Sequence, residues 1–270
     1  MSRSSKTTKH SPLPFVWKQM KVQFRTRALS IFSFGLLVFQ PAVFSAVGYL
    51  LARMARKTTP DLIYVIIGGG IMGLWSSLVF TSFFDISTDR REGTLELIVG
   101  SPTSLTVVLA VRTFTNILIG TTSMLLSFLV AVFLFHFSIP ASNLPFILLS
   151  LIILLLAFWC MGFFLAHFRV WSRLSGMFIN YLELPVAILA AFMFPIEYLP
   201  KWTLWLADII PVRWAVTALR FSFQTQIDFP SLWLNLSLAV CVSCGYLLTS
   251  LLLSKKVHDM IRVSGELSSV

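Results

Sequence analysis

Three stretches of the chain, Ala28 to Ala52, Leu62 to Phe84 and Phe229 to Ser254, run for 25, 23 and 26 residues without a lysine, arginine, aspartate or glutamate. Each exceeds the ~20 residues that a helix needs to cross ~30 Å of hydrocarbon. Inside a bilayer every backbone N–H and C=O must be paired within the protein, which leaves helices or a closed barrel. Barrel strands alternate lipid-facing and lumen-facing residues, so unbroken apolar runs exclude the barrel. The fold class is therefore an all-α integral membrane protein. A chain that is 57% hydrophobic and 12% charged agrees with this, as does a mean hydropathy of +0.85, well beyond a soluble domain. The first run begins too late and lacks a small-residue cleavage site, so no removable signal peptide is expected.

Six transmembrane helices fit best, at roughly 29–52, 62–86, 104–135, 144–168, 174–196 and 231–254. The third and fourth come from one uncharged stretch, Thr113 to Phe168, broken at "SIPASNLP" by two prolines and Asn143. This gives a cytoplasmic tail and amphipathic interface helix over 1–28, a transmembrane domain over 29–254 and a cytoplasmic C-terminal tail over 255–270. With both termini in the cytoplasm, fourteen lysines and arginines lie inside and six outside, and Arg112 falls within a span. That distribution obeys the positive-inside rule, with Arg53, Arg56 and Lys57 as a local exception. The expected location is the cell membrane. The net charge of +10 is accounted for by this topology and by anionic membrane lipid, not by nucleic acid.

Ahead of the first span, Leu13, Val16, Trp17, Met20 and Phe24 recur at helical spacing, with Lys18, Lys21 and Arg25 expected on the opposite side. Ser11 and Pro12 suit the N-cap and first turn of such a helix. Its basic face would rest on anionic head groups. Near the other end, Trp202, Trp205, Leu206 and Ile209 share one face of a short helix that Pro211 ends, and a second helix begins there and runs to about Phe223. Each is too short to span, so the segment 197–224 reads as a re-entrant or outer-surface pair in the region where indole rings prefer to lie.

One charged stretch, "TDRREGTLELIVGSPTSL" at 88–105, stands between the second and third spans. Gly93 can end an extension of the second span and Thr94 can cap a stub helix over "LELIV". Gly100 would close that helix, and Ser101 with Pro102 would open the third span. The stub presents Leu95, Leu97, Ile98 and Val99 to the cytoplasm, and contiguous oil on a cytoplasmic loop calls for a partner.

The pattern "DRREGTLELIVGSP" after a second span resembles the cytoplasmic coupling segment of type-2 ATP-binding-cassette (ABC) export permeases. "LPKWTLWLADIIPVRWAVTALR" resembles the same family's segment between the fifth and sixth spans, and the likeness extends over nearly the whole chain. It implies a permease subunit that forms the translocation pathway as a dimer, with itself or with a paralogous permease. It further implies a separate ABC ATPase docked on segment 87–103 through Arg90, Arg91, Glu92, Gly93, Thr94, Leu95, Glu96, Leu97 and Ile98. No G-x-x-x-x-G-K-[ST] occurs in the sequence. ATP and Mg are thus expected on the partner and no cofactor on this chain. Because two short helices cannot leave their broken backbone ends in hydrocarbon, the segment is placed at the outer rim, where Trp202, Trp205, Asp208, Pro211 and Trp214 are expected to form the outer gate.

Enzymatic chemistry has no constellation to support it. His10, His136, His167 and His258 lack paired metal spacing, and Cys160, Cys241 and Cys244 sit in apolar runs where packing is their expected use. "GGGIMG" at 68–73 lies within a span, which assigns its glycines to close helix packing. The intramembrane polar residues are Arg112, Asn180 and Glu183. Arg112 and Glu183 each stand about nine positions past their cytoplasmic end. Either they pair between the third and fifth spans, or Glu183 faces the pathway while Arg112 snorkels inward. The rival class is a secondary transporter or channel using Glu183 as a protonatable site, but no inverted repeat accompanies it. A membrane scaffold without transport would leave the segment 197–224 unexplained.

Overall fold

The computed structural model describes residues 17–18, 20–22, 24–25, 43, 46, 67–79, 104–135, 143–171, 181–224 and 226–264. Among these residues the structure is helical, joined by short turns, and contains no strand. The described helices are α1 (Ile67–Val79), α2 (Leu105–Phe135), α3 (Leu144–Trp171), α4 (Glu183–Leu189), α5 (Leu204–Ile209), α6 (Pro211–Ser222) and α7 (Phe229–Ser264). Two 3-10 turns, Ile196–Tyr198 and Lys201–Thr203, lie between α4 and α5. Three helical stretches, Leu105–Leu129, Leu144–Val170 and Phe229–Lys256, are long and apolar enough to cross a membrane.

Contacts along the helices fix their relative directions. Phe146 meets Phe229 at 5.3 Å near the starts of α3 and α7, and His167 Nδ1 meets Ser250 Oγ at 3.0 Å further along both, so α3 and α7 run parallel. The Trp159 indole N–H donates to the Ala110 carbonyl at 3.1 Å, and Leu109 packs with Phe163, Ala166 and Val170. The start of α2 thereby lies beside the end of α3, which makes that pair antiparallel. Helix α1 is antiparallel to α2, since Gly70 faces Met124 and Ser127 while Gly120 faces Leu74. Helix α4 is antiparallel to α1, because Ser76 reaches Glu183 and Gly68 abuts Phe192. Thus α1, α3 and α7 point one way and α2 and α4 the other.

Among the described residues, helix α1 is buried along its whole length. Its Ile71, Leu74, Trp75 and Leu78 are fully or almost fully buried and pack with Leu154 and Phe158 of α3, with Phe192, and with Val212, Val216 and Leu219 of α6. The Trp75 and Phe158 rings are 6.1 Å apart, with Phe158 and Phe192 6.2 Å apart in a T-shaped pair. Close approach to α1 depends on small partners, as in other helix pairs that pack without a solvent-driven hydrophobic term. A Cβ on Gly68 would stand 2.2 Å from the Phe192 carbonyl oxygen.

The fifth expected span ends earlier than its hydropathy implies. Helix α4 stops at Leu189, with Ala190 as its C-cap, not at 196. Ala191 has φ +53°, and the Phe192 and Ala191 N–H groups donate to the carbonyls of Ala187 and Ile188 at 3.0 and 2.9 Å. This is a Schellman stop, with alanine where glycine is usual. The apolar run "AAFMF" continues beyond the stop as turns, so hydropathy alone overestimates the helix.

Candidate functional site

The structure gathers its polar features where α4 breaks and α6 returns into the protein. Helix α6 is buried on most of its surface, Val212, Ala215, Val216, Ala218 and Leu219 among them, and packs against both α3 and α7. Arg220 sits near its end with 7% exposure. Its Nη2 donates to the carbonyls of Ala191 and Phe192, both at 2.7 Å, and its Nη1 donates to Phe194 at 3.3 Å. A buried guanidinium is tolerable only when its donors are filled. Here three of them satisfy the carbonyls exposed by the break in α4. One residue thereby couples the fifth helix to the returning helix.

Between α5 and α6 the chain turns sharply. Ile210 is extended (φ −82°, ψ 115°) and Pro211 occupies the first position of α6, where a missing N–H costs nothing. Asp208 holds this elbow from two atoms. Its carboxylate pairs with Arg213, and its carbonyl accepts the Trp214 indole N–H at 3.0 Å. The Arg213 guanidinium also lies 4.1 Å from the centre of the Trp214 ring, a cation–π geometry. Burial lowers the Arg213 guanidinium from its ordinary value, but an arginine starts so far above neutrality that it remains charged. Before the elbow, the Thr203 hydroxyl donates to the Pro200 carbonyl at 2.8 Å. At the same end, the Asn143 side-chain amide donates to the Gln224 carbonyl at 2.7 Å, tying the residue that precedes α3 to the end of α6.

The two short helices present different surfaces. Trp202 and Trp205 are 71% and 61% exposed, and Ile209 lies beside them. Trp214 packs partly against the core, and Pro211 is buried. Among the described residues, an exposed apolar face therefore belongs to α5 and the 3-10 turn before it, whereas α6 is largely buried.

Glu183, the first residue of α4, accepts a hydrogen bond from the Ser76 hydroxyl of α1 through Oε1. Its carbonyl accepts the Trp75 indole N–H at 3.1 Å. Arg112 is half-buried on α2, and no ion pair between it and Glu183 occurs among the described residues. Nor does any group of three histidine, cysteine, aspartate or glutamate side chains that could hold a metal ion occur among them.

A family model described as "ABC-2 type transporter" matches residues 15–223. The chain belongs to that family. It is an ABC transporter permease, a membrane transport component of a family that works with ABC ATPases and is not itself catalytic. A comparison with curated proteins gives no match. In this ABC-2 permease the expected coupling residues Arg90, Arg91, Glu92, Gly93, Thr94, Leu95, Glu96, Leu97 and Ile98 lie outside the described residues, as does Asn180. Of the expected polar and gate residues, the structure joins Asp208 to Trp214 directly and brings Glu183 to α1. The reading of the sequence missed Arg220, Ser76 and Ala191. Arg220 had a signal: it falls four and eight positions after Val216 and Val212 on the apolar face of α6, where an arginine must have buried partners.

Proposed function

We propose that this permease forms the translocation pathway of an ATP-driven exporter, paired two-fold with a second copy or a paralogous permease and driven by a separate ABC ATPase. The ATPase binds ATP and Mg and docks on residues 90–98, the stub helix inserting Leu95, Leu97 and Ile98 into a groove of the partner. Both termini lie on the ATPase side, in the cytoplasm of the cell membrane. On the far side, α5 and α6 close the pathway, and Trp202 and Trp205 pack against the mate across the two-fold axis. Movement of α4 is carried to this gate by Arg220.

The observation that carries the reading is the Arg220 clamp. It makes the broken fifth helix and the buried α6 one mechanical unit, so rearrangement of the helices need not be absorbed in a slack loop. The exposed Trp202, Trp205 and Ile209 face supports a mate at that end. Glu183 as the proton site of a secondary carrier has weaker support, because its carboxylate is engaged by Ser76 in holding α1 to α4. The deciding experiment is purification of the full chain from native membranes in mild detergent. Co-purification of a Walker-A protein whose ATP hydrolysis the permease stimulates is the expected result. A chain that purifies alone and moves solute down a proton gradient in vesicles would remove the proposal.

A further inference from the structure

A cleft of about 600 Å³ opens between the helical residues of the 17–25 segment and α2, within the ~300–1,000 Å³ of ordinary small-molecule sites. Its walls are Trp17, Met20 and Phe24 on one side and Leu118 with Thr115 on the other. The Thr115 hydroxyl is spent on the Val111 carbonyl at 2.8 Å, which leaves little but hydrocarbon facing the cleft. Lys21 and Arg25 also line it, and both are exposed. This corrects the helical-face assignment made from the sequence. Lys21 and Arg25 follow Trp17 by four and eight positions, so they border the apolar stripe instead of lying opposite to it.

The level of the cleft in the bilayer follows from α2. That helix has 31 residues, or ~46 Å at ~1.5 Å per residue, against a ~30 Å hydrocarbon core. About one third of it must therefore lie outside the core. Arg112 stands one turn before Thr115 on the same side of α2, a natural position for the hydrocarbon boundary. The cleft then begins at the head-group level, with its cations, and runs inward along Leu118. Trp17, Phe24 and Leu118 are 71%, 52% and 41% exposed, so its open side faces lipid. Among the described residues, no acidic side chain lines it.

We propose that this cleft binds an anionic phospholipid of the surrounding leaflet, one acyl chain held between Trp17, Phe24 and Leu118 and the phosphate held by Lys21 and Arg25. An extended peptide is a poor occupant, because its N–H groups would meet the described walls of Trp17, Met20, Phe24 and Leu118, which offer them no acceptor. A single chain with a charged end matches both the apolar interior and the basic rim. The proposal requires only that the chain spans a membrane, and it stands or falls independently of ATPase coupling.

The test reconstitutes the full-length permease into nanodiscs with a trace of phospholipid carrying a photoreactive diazirine in its acyl chain. Phosphatidylglycerol and phosphatidylcholine forms are compared at equal mole fraction, and labelled peptides are mapped. The expected result is labelling of the 17–25 and 115–118 peptides at least fivefold stronger with phosphatidylglycerol. Lys21→Gln with Arg25→Gln should reduce phosphatidylglycerol labelling to the phosphatidylcholine level. Leu118→Trp, which fills the lipid-facing wall, should reduce labelling by both probes while the peptide around the exposed Trp233 of α7 continues to label. Equal labelling by the two head groups, or labelling unchanged by Leu118→Trp, overturns the proposal. So does a cross-link between two copies through the cleft in place of lipid labelling. Unchanged monodispersity and helical content of the variants separates loss of the site from loss of the fold.

Discussion

Arg220 on α6 and Ala191, at the broken end of α4, are joined by a 2.7 Å hydrogen bond from Nη2 to the backbone carbonyl. Twenty-nine residues separate them, and Ala191 holds the left-handed conformation that ends the helix. The helix stop and its clamp therefore come from different parts of the chain. Replacing Arg220 with Met keeps the volume but leaves the carbonyls of Ala191, Phe192 and Phe194 without these donors. At ~1–3 kcal/mol per buried group left unsatisfied, a net loss of roughly 2–4 kcal/mol is expected after relaxation. Thermal unfolding of the purified variant measures it, and Arg220→Lys should recover part of the loss because an ammonium has three donors but only one nitrogen, and cannot reproduce contacts made from both Nη1 and Nη2.

Gly68→Ala sets a methyl group 2.2 Å from the Phe192 carbonyl oxygen, with backbone on the far side of the contact. Separation of α1 from the α4 break should cost about 1–3 kcal/mol. Gly245→Ala is the matched control, since a Cβ there meets nothing within 4 Å. It should be neutral or stabilising by up to ~1 kcal/mol through helix propensity. Equal melting temperatures for the two variants would contradict this packing.

Ser76 and Glu183 form a pair that a double-mutant cycle can isolate. Ser76→Ala alone strands the carboxylate, whereas in the Glu183→Gln background it removes a weaker, neutral bond. The interaction energy should be about 1 kcal/mol, within the range for contacting residues. Transport by Glu183→Gln should persist with its pH dependence little changed. Abolition of transport by that single change would revive the proton-carrier reading.

At the expected coupling stub, Leu97→Asp should release the ATPase while the permease remains folded, because it sets a charge against an apolar docking surface. Quantitative pull-down of the ATPase, with helical content as the control, reads this out. Retention of the partner at wild-type stoichiometry would mean that docking lies elsewhere.

For the outer gate, a verified engineered disulfide between the α5 segment and the fifth helix should block export and leave basal ATP hydrolysis intact. Export at the uncross-linked rate would make the segment a passive cover.

Much of the architecture is legible in local chemistry. Helix α2 ends at Phe135 and α3 begins at Leu144, on either side of the break expected at "SIPASNLP", and Asn143 anchors to Gln224. Pro211 divides α5 from α6 for a local reason, its ring and missing N–H. The end of α4 is different in kind. No glycine or proline marks Ala190 or Ala191, and the guanidinium that fills the exposed carbonyls comes from α6. The Ser76 contact is equally silent, since a serine in an apolar run carries no periodic signal. The division of α5 from α6 into an exposed and a buried helix is likewise a tertiary outcome.

Helix α6 is enclosed by α3 on one side and by α7 on the other, with Ala218 packed against Leu232 and Leu236. The ribosome makes α7 last of these three. During biogenesis, then, α6 emerges before the helix that will shelter it, although the carbonyls that Arg220 clamps, those of Ala191, Phe192 and Phe194, are already made. Enclosure of α6 is completed when α7 arrives, and the nascent intermediate before that, with α6 uncovered on one side, is where insertase or quality-control factors would find their substrate.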